Sequence, residues 1–296
     1  MNFINNLIIR IIPLLPKFFI KIFANKYVAG IKTSEALTKV ETLNSNNQFA
    51  TIDILGEHTE SKEECLAITN KYIELIKTIN DKNINCNLSI KPSHIGLDVN
   101  LDFSIENFKK IQKKASELNN FIRIDMESSS QTDDTIKIFS ELHKTKNNIG
   151  IVFQAYLYRT EKDLKRFKNI NIRLCKGIYN ESEKIAIKDP IKINKNFLHL
   201  LKIAFEQNMY VGIATHDQNL IQECIHLIKQ NGITKEQFEF QYLYGVPMSE
   251  PIKLFRNNKY KVRAYVPYGK NWYDYSIRRI KENPKISSYI IKNILK

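Results

Sequence analysis

Near its carboxyl end the chain reads WYDYSIRRIKEN, which sets Tyr275, Arg278, Arg279 and Glu282 at relative positions zero, three, four and seven. On a helix that spacing gathers them along one face. Two adjacent arginines beside a tyrosine suit the capture of a carboxylate through charge-assisted, fork-like hydrogen bonds. The plainer alternative is an exposed Arg278–Glu282 pair at i,i+4, worth only ~0.3–0.5 kcal/mol, and the helix alone leaves both open. Elsewhere, polar side chains close a series of short apolar runs: Asp53 and Glu57, Lys91, Asp125, Gln154, Arg173 with Lys176, Thr215 with His216, Gln241, and Arg263 with Tyr265. Any one of them is compatible with a solvated loop residue or a satisfied ion pair. Together they predict a basic mouth with few carboxylates, suited to an anionic substrate and a phosphate-bearing cofactor.

The elements that must carry these residues follow from the pattern of apolar runs. Strands are predicted at FATIDIL from Phe49, CNLSIK from Cys86, FIRID from Phe121, IGIVFQAY from Ile149, NIRLCK from Asn171, MYVGIAT from Met209, FEFQYL from Phe238 and KVRAYV from Lys261. Each is short, apolar and bounded by turn or polar residues, as buried parallel strands are. Helical stretches fill the gaps. One starts at Ser61 with Glu64 three residues on, a capping-box pattern, with apolar Leu66, Tyr72, Ile73 and Ile76 following. Others run roughly over 105–118, 131–144, 160–168, 190–207 and 217–230. Strand–helix alternation repeated eight times points to an α/β fold, a closed (β/α)8 barrel of the TIM type, whose function sits at the carboxyl ends of the strands. The competing open doubly wound sheet normally carries a glycine-rich first turn, and no GxGxxG occurs among the nine glycines.

Length and composition agree with a barrel: 296 residues, 43% hydrophobic, and no low-complexity linker. The formal charge of +14 comes from lysines scattered along the whole chain, without an arginine stripe or a nucleic-acid-binding motif, so it reads as a solvated basic surface. Cys65, Cys86, Cys175 and Cys224 lie far apart, which gives neither a disulfide framework nor a metal site and favours a reducing cytoplasm. Residues 1–30 form a separate segment. Arg10, Lys17 and Lys21 interrupt its apolar run and Pro13 and Pro16 break it, so its apolar pieces fall short of the ~20 residues of a membrane span. It reads as an amphipathic helical segment lying on the domain or on the inner face of a membrane, with residues 31–296 as the barrel.

Ten blocks in order then resemble the proline dehydrogenases, both the free-standing bacterial form and the corresponding domain of proline utilization A. They are YVAG at Tyr27–Gly30, DILGE at Asp53–Glu57, SIKPSHIGL from Ser89, RIDME at Arg123–Glu127, QAYLYRTEKDL from Gln154, RLCKGIYNESE from Arg173, ATHD at Ala214–Asp217, FEFQYLYGV from Phe238, YVPYG from Tyr265 and YSIRRIKEN from Tyr275. The resemblance implies a distorted barrel with its last helix over the mouth, FAD bound without a dinucleotide-binding motif, and oxidation of L-proline to 1-pyrroline-5-carboxylate. It implies that Arg278, Arg279 and Lys91 bind the proline carboxylate, that Glu57 pairs with Arg278 as a gate, and that Tyr265, Tyr275 and Leu243 wall the ring. Asp125 resembles the family's essential aspartate, orienting Tyr265 or the basic clamp. Arg173 is implied to contact the flavin near its hydride-accepting nitrogen, and Met126, Gln154, Lys176, Gly177, Ile178, Tyr179, Thr215, His216 and Gln241 to line the cofactor.

One departure stands out: the family's usual KGAY is KGIY here, so Ile178 replaces alanine, and Cys175 replaces the commoner valine. The branched side chain is expected to narrow the pocket or shift the ring. Tyr265 is expected to favour proline over hydroxyproline, though only as a preference. The resemblance further implies a membrane quinone as electron acceptor, and a separate pyrroline-5-carboxylate dehydrogenase acting downstream. Three alternatives remain at this level: a hydroxyproline or other cyclic imino-acid dehydrogenase on the same scaffold, a barrel aldolase or lyase using Lys91 or Lys176 as a Schiff base, and a non-catalytic basic membrane- or nucleic-acid-binding protein.

Overall fold

The computed structural model describes residues 17–282, with the side chains of residues 19, 22, 23 and 278–282 outside that description. Eight parallel strands close on one another in sequence order, and β1 (Phe49–Ile54) completes the ring by pairing with β8 (Val262–Tyr268). Between them run β2 (Cys86–Ile90), β3 (Ile122–Ile124), β4 (Ile149–Gln154), β5 (Asn171–Cys175), β6 (Tyr210–Ala214) and β7 (Phe238–Leu243). The predicted strands are therefore all present, and closure of the ring decides against an open sheet.

The chain enters through α1 (Lys17–Tyr27) and α2 (Thr33–Ser45), and the connections then carry α3 (Lys62–Asp81), α4 (Leu101–Glu117), α5 (Thr132–His143), α6 (Thr160–Leu164), α7 (Pro190–Glu206), α8 (Gln218–Gln230) and α9 (Ser249–Asn257), with α10 (Trp272–Glu282) last. Local chemistry starts several of them. Ser61 Oγ accepts the Glu64 N–H at 3.2 Å, Asp189 accepts from Lys192, and Asp217 accepts from Asn219 and Leu220. Two helices were not anticipated, α2 and α9. α2 is polar almost throughout and buries only Ala36, Leu37 and Val40, too thin a stripe to stand out. α9 carries Pro251 in its first turn, a residue tolerated there and otherwise read as a helix breaker.

Both faces of each strand are buried. In β7, Phe238 and Phe240 pack outward beneath the helices, with Phe240 stacked on Phe255 of α9 at 4.1 Å, while Glu239 and Gln241 point into the barrel. The α1 helix lies against α10: Ala24 and Val28 join Leu55, Trp272 and Tyr275 in one apolar cluster. Backbone bonds from Ala29 N–H to Pro267 O and from Gly269 N–H to Gly30 O tie the following turn to β8. Residues 17–30 thus pack on the barrel, and residues 1–16 lie outside the described residues. Among the described residues no helix is long and apolar enough to cross a membrane.

Candidate active site

The period-two alternation that turns phenylalanines toward the helices turns polar groups toward the barrel axis. Asp125, immediately after β3, accepts three hydrogen bonds: from Ser89 Oγ at 2.6 Å, Arg173 Nη1 at 2.8 Å and Tyr265 Oη at 2.9 Å. The carboxylate thereby ties β2, β5 and β8 together at one point. Arg173, on β5, is held on three sides. Its Nε donates to Gln241 Oε1 at 2.6 Å, its Nη1 to Asp125 and to Ser89 Oγ at 3.1 Å, and its plane lies 5.0 Å from the Tyr265 ring centroid. Its Nη2 is buried and has no hydrogen-bond partner among the described residues. Such an orphan donor in an otherwise satisfied network is an open valence for a ligand atom.

Above this floor, Lys91 Nζ donates to Asp53 Oδ2 at 2.7 Å, the two side chains being 13% and 1% exposed. Burial works to lower the Lys91 pKa, but the charges of Asp53 and Asp125 and the hydrogen bond outweigh it and hold the ammonium above its usual value. A Schiff-base lysine needs the opposite shift, so Lys91 does not fit that role. Lys176 Nζ likewise donates to Asp217 Oδ2 at 2.7 Å, where Asn194 Nδ2 joins it at 3.0 Å. Burial raises the Asp217 pKa, yet these bonds and the α8 amide overcome it and hold the carboxyl down at about 2. Gly177 follows with φ of +110°, and a Cβ there would stand 2.1 Å from the Tyr156 ring, so the turn bearing Lys176 and Tyr179 requires glycine. His216 Nε2 accepts the Leu243 N–H at 2.8 Å, which places its ring proton on Nδ1. Gln154 donates to Glu127 O at 2.8 Å.

These groups enclose a cavity of about 690 Å3 at the carboxyl ends of the strands, within the ~300–1,000 Å3 typical of cofactor sites. Its lining brings together Glu57, Lys91, Asp125, Met126, Gln154, Arg173, Lys176, Gly177, Ile178, Tyr179, Thr215, His216, Gln241, Leu243, Tyr265 and Tyr275, whereas Asp53 and Arg263 do not line it. α10 reaches the cavity through Tyr275, which is buried against α1, while the Arg278, Arg279 and Glu282 side chains lie outside the described residues. Ile178 lines the cavity and is 48% exposed. Arg263, read above as part of the mouth, sits instead at the amino end of β8, where its Nε donates to Glu239 Oε1 at 2.6 Å. Ser89 and Asp217 were not singled out, and Asp53 was read only as part of the mouth, without a role. Ser89 precedes Lys91 by two and Asp53 sits one residue from the end of β1, so the strand period was the available signal.

Residues 36–292 match the proline dehydrogenase family profile. The chain belongs to the proline dehydrogenase family. It is 34% identical to proline dehydrogenase 2 of Bacillus subtilis over 278 residues, 93% of this chain and 91% of the relative. Identity to proline dehydrogenase of Deinococcus radiodurans is 33% over 280 residues, 92% and 90% of the two chains. Among solved structures, proline utilization A from Bdellovibrio bacteriovorus, inactivated by N-propargylglycine, superposes with a TM-score of 0.81 and 26% identity. The match covers 88% of this chain and 32% of that one, so the chain spans about a third of that larger protein. A Bradyrhizobium japonicum proline utilization A variant, at 17% identity over 86% of this chain and 30% of its own, with a TM-score of 0.74, shares the fold. Proline dehydrogenase membership implies FAD. The donor set fits it: a buried, unpartnered Arg173 Nη2 lies within the network lining the cavity, with Lys176, paired with Asp217, on the β5 side.

Proposed function

We propose that the chain oxidises L-proline to 1-pyrroline-5-carboxylate with FAD as its cofactor, the first step of proline degradation to glutamate. FAD, when bound, supplies the acceptor for the hydride lost from the ring carbon beside nitrogen, and the protein supplies position and electrostatics. The observation that carries the reading is Arg173: fixed by Gln241, Asp125 and Ser89, it keeps Nη2 for a group within the cavity. A permanent cation there stabilises negative charge that develops on the cofactor. Met126, Gln154, Lys176, Gly177, Ile178, Tyr179, Thr215, His216 and Gln241 are assigned to the flavin and its phosphates. Lys91, with Arg278 and Arg279 of α10, is assigned to the proline carboxylate, Glu57 to the gate with Arg278, and Leu243, Tyr265 and Tyr275 to the walls around the ring. Holding the carboxylate fixes the reacting carbon, so much of the rate comes from orientation. The Tyr265 hydroxyl is tied to Asp125, which supports a rigid wall that favours proline over hydroxyproline.

Electrons are assigned to a membrane quinone and the product to a separate pyrroline-5-carboxylate dehydrogenase. The protein is assigned to the cytoplasm, with residues 1–30 as the segment for peripheral contact with the inner face of the membrane and 31–296 as the catalytic barrel. The deciding experiment is an absorption spectrum before and after anaerobic addition of L-proline. A yellow chromophore that bleaches supports both cofactor and substrate, and a colourless protein or an unchanged spectrum refutes them. Arg279→Met is expected to raise KM for proline about 100-fold with flavin retained, the scale of a lost charge-assisted hydrogen bond. Unchanged proline kinetics would refute the clamp.

A further inference from the structure

Below the cavity, at the amino-terminal half of the barrel, Glu239 is 2% exposed and contributes nothing to the cavity wall. Its Oε1 accepts from Gln241 Nε2 at 2.6 Å and from Arg263 Nε at 2.6 Å. Its Oε2 accepts from Arg263 Nη2 and from Tyr210 Oη, both at 3.1 Å. Two residues further along β7, the Gln241 amide lies between this carboxylate and Arg173, whose Nε donates to Gln241 Oε1 at 2.6 Å. An ionised carboxylate only accepts and an arginine Nε only donates. The amide between them therefore has one permitted orientation, with NH2 toward Glu239 and carbonyl toward Arg173.

We infer that Glu239 is a positioning residue for the reaction: as the common acceptor between two arginine-ended branches, it fixes the Gln241 amide and through it the direction of the Arg173 guanidinium. The inference rests on Arg173 serving the proposed flavin site. Its force comes from hydrogen-bond polarity. A neutral amide at 239 would have to donate to one neighbour and accept from the other. Arg263 offers only donors, and Gln241 already receives one from Arg173, so any choice leaves a donor facing a donor. The misfit can sit at Arg263, or it can move up to Arg173 by an amide flip. Buried groups left in this way are costly, and the flip turns the Arg173 Nε away from its seat.

The test is Glu239→Gln, alone and combined with Arg263→Met. In the double variant the opposing donor is gone, and the new amide can donate to the Tyr210 hydroxyl while accepting from Gln241. The first measurement is made on flavin-free protein: the 1H–15N signal of the Arg173 Nε–H, assigned by its loss in Arg173→Lys, and its exchange with solvent. Glu239→Gln is expected to accelerate that exchange at least about tenfold, and the double variant to restore it to within about threefold of wild type. The second is made on the flavin-loaded enzyme. The single variant is expected to lose about ten- to hundredfold in kcat with KM for proline changed less than about threefold, and the double variant to regain most of it. If Glu239→Gln does not fold, the double variant decides alone, a native-like Nε–H signal supporting the inference and its absence overturning it. An unchanged signal in the single variant, or a double variant no better than the single, reduces Glu239 to a merely structural ion pair. Failure to bind flavin would instead sink the proposed function, because the first measurement uses none.

Discussion

Lys91→Met separates the structural role of the Lys91–Asp53 pair from its proposed role toward proline. The mutation leaves the Asp53 carboxyl, 1% exposed, without its cation. Burial already pushes the Asp53 pKa up, with Lys91 the largest opposing influence and the charge of Asp125 adding to the rise. Without Lys91, the folded state holds Asp53 as the neutral acid, whereas the unfolded chain ionises it with a pKa of about 3.9. The folded pKa then lies above the unfolded one, so the penalty is absent below about pH 3.9 and grows by ~1.4 kcal/mol per pH unit until the folded pKa is passed. Relative to the wild type, whose Asp53 pKa is already raised, the loss grows with pH toward the ~3–5 kcal/mol measured for broken buried pairs. Asp53→Asn combined with Lys91→Met removes the titrating group, so its loss is expected to be smaller and independent of pH. Urea unfolding at pH 5, 6 and 7 with saturating FAD reads all of this. Both variants should nevertheless show a proline KM raised about 10- to 100-fold, the loss of one charge-assisted hydrogen bond. A pH-independent loss in the single variant, or a double variant no more stable than it, would refute the electrostatic argument. A normal KM in the double variant would remove Lys91 from the substrate site.

Asp125→Asn keeps the shape but removes the charge that holds Arg173 and Tyr265. It is expected to lower kcat about 100-fold while flavin absorbance is retained, and a kcat within twofold of wild type would count against the orienting role. His94 is buried, and burial, with Lys91 and Lys71 adding to it, depresses its pKa to about 3. The folded state therefore holds it neutral while the unfolded chain protonates it near pH 6.5. The stability this provides is complete above pH 6.5 and is lost at ~1.4 kcal/mol per unit as pH falls toward the folded value. His94→Asn should flatten that slope in urea titrations between pH 6.5 and 4.5. Gly177→Ala faces both a φ of +110° and a Cβ 2.1 Å from the Tyr156 ring. It is expected to cost about 2 kcal/mol or more and to weaken FAD binding by the adjoining turn, measured by titration of apoprotein.

The barrel was legible because its strands are short, β-branched and separated by helices of ordinary length, and because every strand that was read closed into the ring. Most of the site was legible too, since a polar residue ending an apolar strand has few structural reasons to be there. The partnerships were not. FEFQYL alternates apolar and polar residues, a pattern that ordinarily marks one dry and one wet face. In the folded chain Phe238, Glu239, Phe240 and Gln241 are all buried. The polar set faces an interior in which hydrogen-bonding groups from non-adjacent strands meet: Gln241 on β7 joins Arg173 on β5, and Asp125 after β3 joins Tyr265 on β8. Such pairs are separated by 68 and 140 residues, and only closure of the barrel brings them together. Sequence period therefore tells which residues point inward, but hydrogen-bond polarity decides what they do there. An acceptor-only carboxylate between two donor-only arginines leaves the intervening amide a single orientation. That restriction at Nε, together with Asp125 and Ser89 at Nη1, aims Arg173.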